Sequence, residues 1–213
     1  PITIEKDIEL LKQVGCKVLF LPEVSEMYPE GLTSNTNYEL GDLENLWEGA
    51  YRPGHFQGVC LIVEKLLRLV QPDTLFLGQK DFQQVAIIKK MINLKPDLQW
   101  IQVETGPTIR EADGLAMSSR NVRLDERSRE RSLVLYRALS AAALSLDLDT
   151  ARTALQSVAS SQEGFDLDYA EIIDEQDFSK ATYETQNKRA IIAGWLNGVR
   201  LIDNMEMKLG AKR

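Results

Sequence analysis

The stretch that most constrains this chain runs from Thr74 to Ile92. A short apolar run, Thr74-Leu75-Phe76-Leu77, meets Gly78-Gln79-Lys80-Asp81-Phe82-Gln83-Gln84. A periodic run, Val85-Ala86-Ile87-Ile88-Lys89-Lys90-Met91-Ile92, follows. That order reads as a buried strand, a glycine turn and an amphipathic helix. In an open α/β sheet, ligands bind beyond the carboxyl ends of the strands, and amides at a helix start favour anions. Gly78 lets a ligand approach the backbone, Lys80 brings a mobile positive charge, and Asp81 can accept hydrogen bonds and cap the helix. These residues together suggest a phosphate or nucleotide site. The local pattern fits a surface turn with a capped helix equally well.

Around this stretch, strands and helices alternate. Thr3 is placed to cap a helix through about residue 14, ended by Gly15. Residues 17–21 read as a buried strand, and a short helical segment ends near Tyr28-Pro29. Residues 38–40 read as a short strand and 43–50 as a brief helix. A longer helix over 59–70 carries apolar residues at Val59, Ile62, Val63, Leu66, Leu67 and Val70. The helix after Gln84 runs to about Asn93, and 98–103 reads as another strand. The alternation predicts a mostly parallel, three-layer sheet. Gly106-Pro107 ends it, and the boundary between two domains, 1–106 and 107–213, is placed there. The second part reads as α+β. Helical text covers 125–146 and 149–160, and strands are expected at 167–173, 189–196 and 199–204. Asn197-Gly198 is a strong hairpin signal between the last two.

Two further stretches are unusual. In Arg52-Pro53-Gly54-His55-Phe56-Gln57-Gly58, Pro53-Gly54 forces a turn ahead of the long helix. His55 is the single histidine of the chain; it reads as an acid, a base or a structural histidine. In Ser118-Ser119-Arg120, two hydroxyls stand beside a guanidinium, a composition suited to phosphate oxygens. The same tripeptide also fits a capped loop with a surface ion pair.

Totals narrow the function classes. The net charge of −7 argues against a broad nucleic-acid surface, although a local basic site is compatible with it. Cys16 and Cys60 both sit in apolar text, which predicts buried free thiols rather than a disulfide or metal site. No apolar run is long enough to cross a membrane, so a cytoplasmic protein is expected. The chain opens on Pro1 without an initiator methionine. A kinase of the P-loop type is disfavoured, because no Gly-x-x-x-x-Gly-Lys-Ser/Thr loop is present.

With three long motifs in hand, the sequence closely resembles the pantoate–β-alanine ligase (pantothenate synthetase) family of the adenylate-forming nucleotidylyltransferase superfamily. The carrying residues are Glu48 to Val59, Gly78 to Gln84, Arg110 to Asn121 and the ending Arg200-Leu201-Ile202-Asp203-Asn204. The resemblance implies a Rossmann-like parallel-sheet nucleotide-binding domain followed by a small α+β lid domain with an antiparallel sheet. It implies ATP-dependent condensation of pantoate with β-alanine through pantoyl adenylate, with Mg²⁺ travelling on the ATP phosphates, and a homodimer. Gly78, Gln79, Lys80 and Asp81 would hold the nucleotide, with Asp81 on the ribose and Lys80 as the catalytic cation. Position 79, often acidic in the family, is Gln79 here. Ser118, Ser119 and Arg120 match the family's phosphate-gripping loop, and Ile109 and Met117 match positions flanking adenine and phosphates. Gln84 matches a pantoate ligand, Val59 and Ile62 would wall the pocket for its methyl groups, and Arg52 and His55 would brace that region.

The family also carries an N-terminal His-x-Gly-His motif, which this sequence does not contain. The expectation is therefore a parallel-sheet domain incomplete at its N-terminus. Two other readings follow from the same residues: an inactive nucleotide-binding or dimerising fragment, or a nucleotidylyltransferase that stops at the adenylated product. Gln84 and Val59 speak against the last.

Overall fold

A computed structural model describes residues 4–29, 31 and 36–209. The chain divides into two compact units, Pro1–Asn37 and Tyr38–Arg213. In the first, helix α1 spans Ile4–Gln13. It ends as the glycine predicts: Gly15 is left-handed at φ 77°, and its amide bonds the Lys12 carbonyl while that of Cys16 bonds Leu11. Those two bonds make a Schellman ending, which satisfies carbonyls left over at a helix end. The expected cap Thr3 lies outside the described residues. Helix α2 covers Val24–Met27.

The strand expected at 17–21 is not formed. The segment is irregular, and Val18, Leu19, Phe20 and Leu21 are all exposed. A strand is stable only with a hydrogen-bonded neighbour, and the described residues of this unit contain no second one. Cys16, expected to be buried, is likewise exposed, whereas Cys60 is buried. Burial pushes the Cys60 thiol up to about 12, so it behaves as a small apolar side chain.

The second unit begins with Tyr38 and Leu40 buried but not in a strand. The Gln57 side chain takes the Tyr38 amide on its oxygen and donates to the Tyr38 carbonyl, both at 2.9 Å, replacing the ladder a strand would need. The helix expected at 43–50 is broken into a 3-10 turn, Gly41–Glu44, and helix α3, Glu48–Tyr51. Between them Trp47 adopts φ 44° while its indole N–H bonds the Phe178 carbonyl at 2.8 Å. Here a glycine is required by close approach: a Cβ on Gly49 would lie 2.0 Å from the Glu44 carbonyl oxygen.

Helix α4, His55–Val70, starts earlier than its apolar periodicity indicates, because left-handed Gly54 turns the chain directly before it. Strand β1 (Thr74–Gly78), helix α5 (Phe82–Asn93) and strand β2 (Gln102–Gly106) form a parallel β-α-β unit, with Thr74 opposite Gln102 and Gly78 opposite Gly106. Among the described residues the parallel sheet has these two strands, because the strands expected at 17–21 and 38–40 do not form. The strand expected at 98–103 starts only at Gln102. Leu98 and Ile101, three apart, instead fill the core below α4 and α5 from a turn.

The remainder is α+β, as expected. Helices α6 (Glu126–Arg131), α7 (Val134–Ala143) and α8 (Leu148–Ser161) are followed by strands β3 (Phe165–Asp174), β4 (Lys188–Leu196) and β5 (Val199–Met207). These strands make an antiparallel sheet in the order β3-β4-β5. Asn197 and Gly198 both have positive φ, 48° and 73°, as the predicted two-residue turn demands. The large core lies between α7, α8 and this sheet, with Leu135, Leu139, Leu155, Ile172, Ile192 and Leu196 almost fully buried. A smaller cluster of Ile173, Phe178 and Ile191 packs against Leu46, Trp47 and Phe82. That seam joins the two halves within one compact unit. No described helix is long and apolar enough to cross a membrane.

Gly49→Ala is expected to lower stability by about 1–3 kcal/mol, the usual cost of forcing atoms into a filled site. Urea unfolding would register this as a lower midpoint with an unchanged slope.

Candidate active site

The turn after β1 stands at the edge of a cleft bounded by α3, α5, β3 and β5. The cleft is open to solvent and takes Arg52, His55, Lys80, Asp81 and Gln84 on its wall. A second hollow shares Lys80, Ile202 and Asp203 with the first and adds Ser118 and Arg120. Thus three motifs far apart in the sequence converge on Lys80. Its side chain is mostly buried, with Nζ 4.0 Å from Asp81 Oδ1. Asp81 stands at the start of α5 but makes no side-chain capping bond, contrary to expectation. Its φ of −96° and ψ of 55° are not the extended geometry that places a capping oxygen over the first amides.

Strand β5 fixes this turn. Asn204 Nδ2 donates to the carbonyls of Gln79 and Lys80 at 3.0 and 2.9 Å, and Asn204 Oδ1 accepts from Arg189 at 2.8 Å. Next to it, Asp203 receives a two-pronged bond from Arg110 at 2.6 and 3.0 Å, and Arg110 also reaches the Gly114 carbonyl at 3.0 Å. The segment 110–116 is thereby tied to β5. Within it Gly114 is left-handed, and a Cβ there would meet the Tyr136 ring at 2.2 Å.

The Ser118 hydroxyl accepts from the Arg120 amide at 3.2 Å, starting a 3-10 turn over Ser119–Arg123. The Arg120 guanidinium donates to the Arg200 carbonyl at 3.1 Å and has no carboxylate partner among the described residues. Its remaining N–H groups are available to an anion.

Not every expected residue reaches the wall of either hollow. Gly78, Gln79 and Ser119 stand in the adjoining turns without lining them. Ile109 and Met117 are exposed and paired to each other through the Met117 amide and Ile109 carbonyl at 2.9 Å. Val59 packs on the core of α4 and α5, and Ile62 is half-buried outside the cleft wall.

The floor of the cleft is a buried ionic network that no local pattern announces. Arg200 contacts both Glu48 oxygens, at 2.9 and 2.7 Å, and Asp168 at 2.7 Å. The Tyr169 hydroxyl donates to Glu48 at 2.8 Å, and Arg52 approaches it at 3.9 Å. Gln83 completes the arrangement by accepting the Glu48 amide at 3.1 Å and donating to the Leu43 and Leu46 carbonyls. Burial alone would raise the Glu48 pKa, but the bonds and charge of Arg200 outweigh it, and the carboxyl titrates below its ordinary value. Tyr169 is driven well above its usual range, first by burial and then by the Glu48 charge. His55 is lowered by burial and by Arg52, Arg120 and Arg200, against an opposing effect of Glu48. Among the described residues no cluster of His, Cys, Asp and Glu is fit to hold a metal ion.

Taken together, a β-α-β unit with a lysine-bearing turn, closed by a serine–arginine loop from a following α+β part, defines an α/β protein with an anion-suited cleft. A family model described as pantoate-beta-alanine ligase matches residues 1–206. The pantothenate synthetase of Pseudomonas fluorescens SBW25 is 42% identical over 98% of this chain and 75% of its own length. The crystal structure of the Thermus thermophilus pantothenate synthetase superposes with a TM-score of 0.90 at 40% identity, covering 97% of this chain and 75% of that one. The pantoate-beta-alanine ligase of Francisella tularensis, solved as a complex with "Beta-gamma ATP" and β-alanine, gives 0.76 at 31% identity, covering 100% and 73%. The chain belongs to the pantoate-beta-alanine ligase family.

Glu48→Gln is expected to destabilise the fold by about 3–5 kcal/mol, because it leaves the buried Arg200 charge short of a partner. The Glu48 carboxyl has a lowered pKa in the folded state, so its contribution is full above the ordinary carboxylate range and is lost as the pH falls through the folded pKa. Unfolding curves of the two proteins should therefore converge in acid and separate near neutrality.

Proposed function

We propose that this protein condenses pantoate with β-alanine using ATP, through pantoyl adenylate, with release of AMP and pyrophosphate. The observation that carries this reading is the convergence of Lys80, Ser118 and Arg120 on one hollow, contiguous through Lys80 with the cleft that takes Gln84. Family membership and the ligands of the Francisella relative support the choice of substrates.

In the first half-reaction a pantoate carboxylate oxygen attacks the α-phosphorus of ATP, and the bond to the bridging oxygen breaks with its electrons leaving on pyrophosphate. Negative charge grows on the phosphoryl oxygens, and Lys80 stabilises it as a cation already held in place by the Asn204 grip on its backbone. Ser118, Ser119 and Arg120 hold the departing phosphates. Gly78 and Gln79 let the nucleotide lie against the turn, Asp81 takes the ribose, and Ile109 with Met117 supplies exposed apolar surface beside the base. Gln84 bonds pantoate, and Arg52 braces that side of the cleft. Phe56 and Phe82 offer apolar surface to the pantoate methyls on the wall itself, whereas Val59 and Ile62 would act from outside it. Mg²⁺ would enter on the ATP phosphates, as this ion keeps much of its water and binds phosphate in preference to an all-protein cage. In the second half-reaction the amine of β-alanine attacks the acyl carbon and AMP leaves.

On this reading residues 1–106 belong to the nucleotide- and pantoate-binding part, and residues 107–213 form a lid carrying Ser118 to Arg120. Homodimerisation belongs to the same reading, as the family resemblance implies it, and cytoplasmic residence is proposed with it on the sequence expectation.

Incubation with ATP, Mg²⁺, pantoate and β-alanine should yield AMP and pantothenate in equal amounts. ADP as the product would overturn the reading in favour of phosphoryl transfer. Lys80→Ala is expected to slow adenylate formation about 10²–10³-fold, the usual effect of removing one charge-stabilising donor. Arg120→Ala should slow the same step, and an unchanged single-turnover rate would remove the lid from the mechanism.

A further inference from the structure

We infer that His55 is the general base of the amide-forming half-reaction, taking a proton from the amine as it attacks the acyl carbon. The inference rests on the ligase reading above and assigns a residue to its second step.

His55 is the first residue of α4, set there by the left-handed turn at Gly54. Its ring lies on the wall of the cleft together with Lys80 and Gln84, against the Phe56 ring at 5.2 Å between centroids. Neither ring nitrogen has a hydrogen-bond partner among the described residues, and Lys80 and Asp81 on the same wall are held only by a 4.0 Å contact to each other. His55 is half-buried, and its nitrogens are open to whatever occupies the cleft.

Its surroundings keep it neutral. From the start of α3 it faces Glu48 and from its end Arg52, from the 3-10 turn Arg120, and from β5 Arg200. Lys80 and Asp81 face the same cleft from the turn before α5, and Asp203 from β5. Glu48 favours the imidazolium, but it is shared with Arg200 and Tyr169. Burial and three arginines act the other way, as does the positive end of the α4 dipole. A neutral imidazole with a free nitrogen can accept a proton at neutral pH, whereas a lysine or arginine in that place cannot.

The chemistry needs such a group at one moment only. β-Alanine arrives as an ammonium ion and loses one proton to water on binding. Its amine then forms the C–N bond, which leaves a surplus proton on nitrogen in the tetrahedral adduct. That proton passes to His55, the C–O bond to the phosphate of AMP breaks with its electrons on AMP, and the imidazolium returns the proton to solvent. Attack of a pantoate carboxylate on ATP needs no base. His55 should therefore matter to the second half-reaction and not to the first.

The test measures the two half-reactions separately in the wild type and in His55→Gln and His55→Ala. Pantoate-dependent exchange of labelled pyrophosphate into ATP reports adenylate formation. Rapid-quench formation of pantothenate from preformed adenylate and β-alanine reports the amide step. Both variants should retain exchange within about threefold of wild type while the amide step falls about 10²-fold or more, the usual scale of general-base catalysis. The acid limb of its pH profile should disappear, and imidazole added to His55→Ala should restore part of the rate. An unchanged amide step, or an equal loss in both half-reactions, would overturn the assignment and leave His55 a structural residue. Absence of pantoate-dependent exchange in the wild type would instead overturn the ligase reading, and the base with it.

Discussion

Burying the Glu48–Arg200 pair is unfavourable in isolation, since each charge loses its hydration on entering the protein. What offsets that cost is the number of partners, although Arg200 Nη2 is in ionic contact with Glu48 without making a hydrogen bond. The guanidinium has two carboxylates, Glu48 and Asp168, and Glu48 has in addition the Tyr169 hydroxyl and its own amide anchored on Gln83. Partners come from α3, α5, β3 and β5, so the network closes only when the parallel and antiparallel parts are in register. Apolar packing at the seam is comparatively thin, with Ile173, Phe178 and Ile191 as its buried members, and it is non-directional. The ionic floor supplies the direction. It anchors Glu48 at the start of α3, a few residues before Arg52 and His55 on the cleft wall.

A second grip works by the same logic. One asparagine amide on β5 serves two carbonyls of the lysine turn and one arginine. Bonds of this kind fix a backbone without placing a charge beside it. Lys80 Nζ therefore remains free of a strong partner, its nearest carboxylate being 4.0 Å away. A lysine fully paired within the protein would be less able to answer charge developing on a ligand.

How much of this was legible in the text depends on how far apart the cooperating residues lie. Helix α5, the 197–198 hairpin and the Lys80 turn are decided by neighbours in sequence, and periodicity reads them. The segment 17–21 has the apolar composition of a strand, but composition does not supply a partner. Tyr38 to Leu40 has the burial of a strand, but Gln57, 19 residues on, takes its backbone bonds. Leu98 and Ile101 are core residues whose spacing suits a turn, and an apolar run cannot distinguish that from a strand. For the site, Lys80, Asp81 and Gln84 share one turn and one helix, so the sequence places them together. Glu48 and Arg200 are 152 residues apart and Asn204 is 125 from Gln79. Those residues stood in recognisable motifs, but nothing local says that they meet.

The charge of the chain poses a related problem at larger scale. A net −7 would ordinarily repel anionic substrates, yet Arg52 and Lys80 line the cleft, Arg120 lines the hollow that adjoins it through Lys80, and Arg200 lies in the ionic network beneath. Arg200 is cancelled by Glu48 and Asp168, and Arg52 stands only loosely by Glu48 at 3.9 Å. Arg120 has no carboxylate partner among the described residues. On the reading proposed above, that uncompensated positive charge meets the phosphates, in a chain whose net charge is negative. Such a distribution favours a small anion that can enter the cleft over an extended polyanion that must lie across the surface. The same field bears on His55: the cations that attract phosphate also resist a further proton on the imidazole. On that reading, anion binding and a neutral base are two consequences of one cluster of arginines.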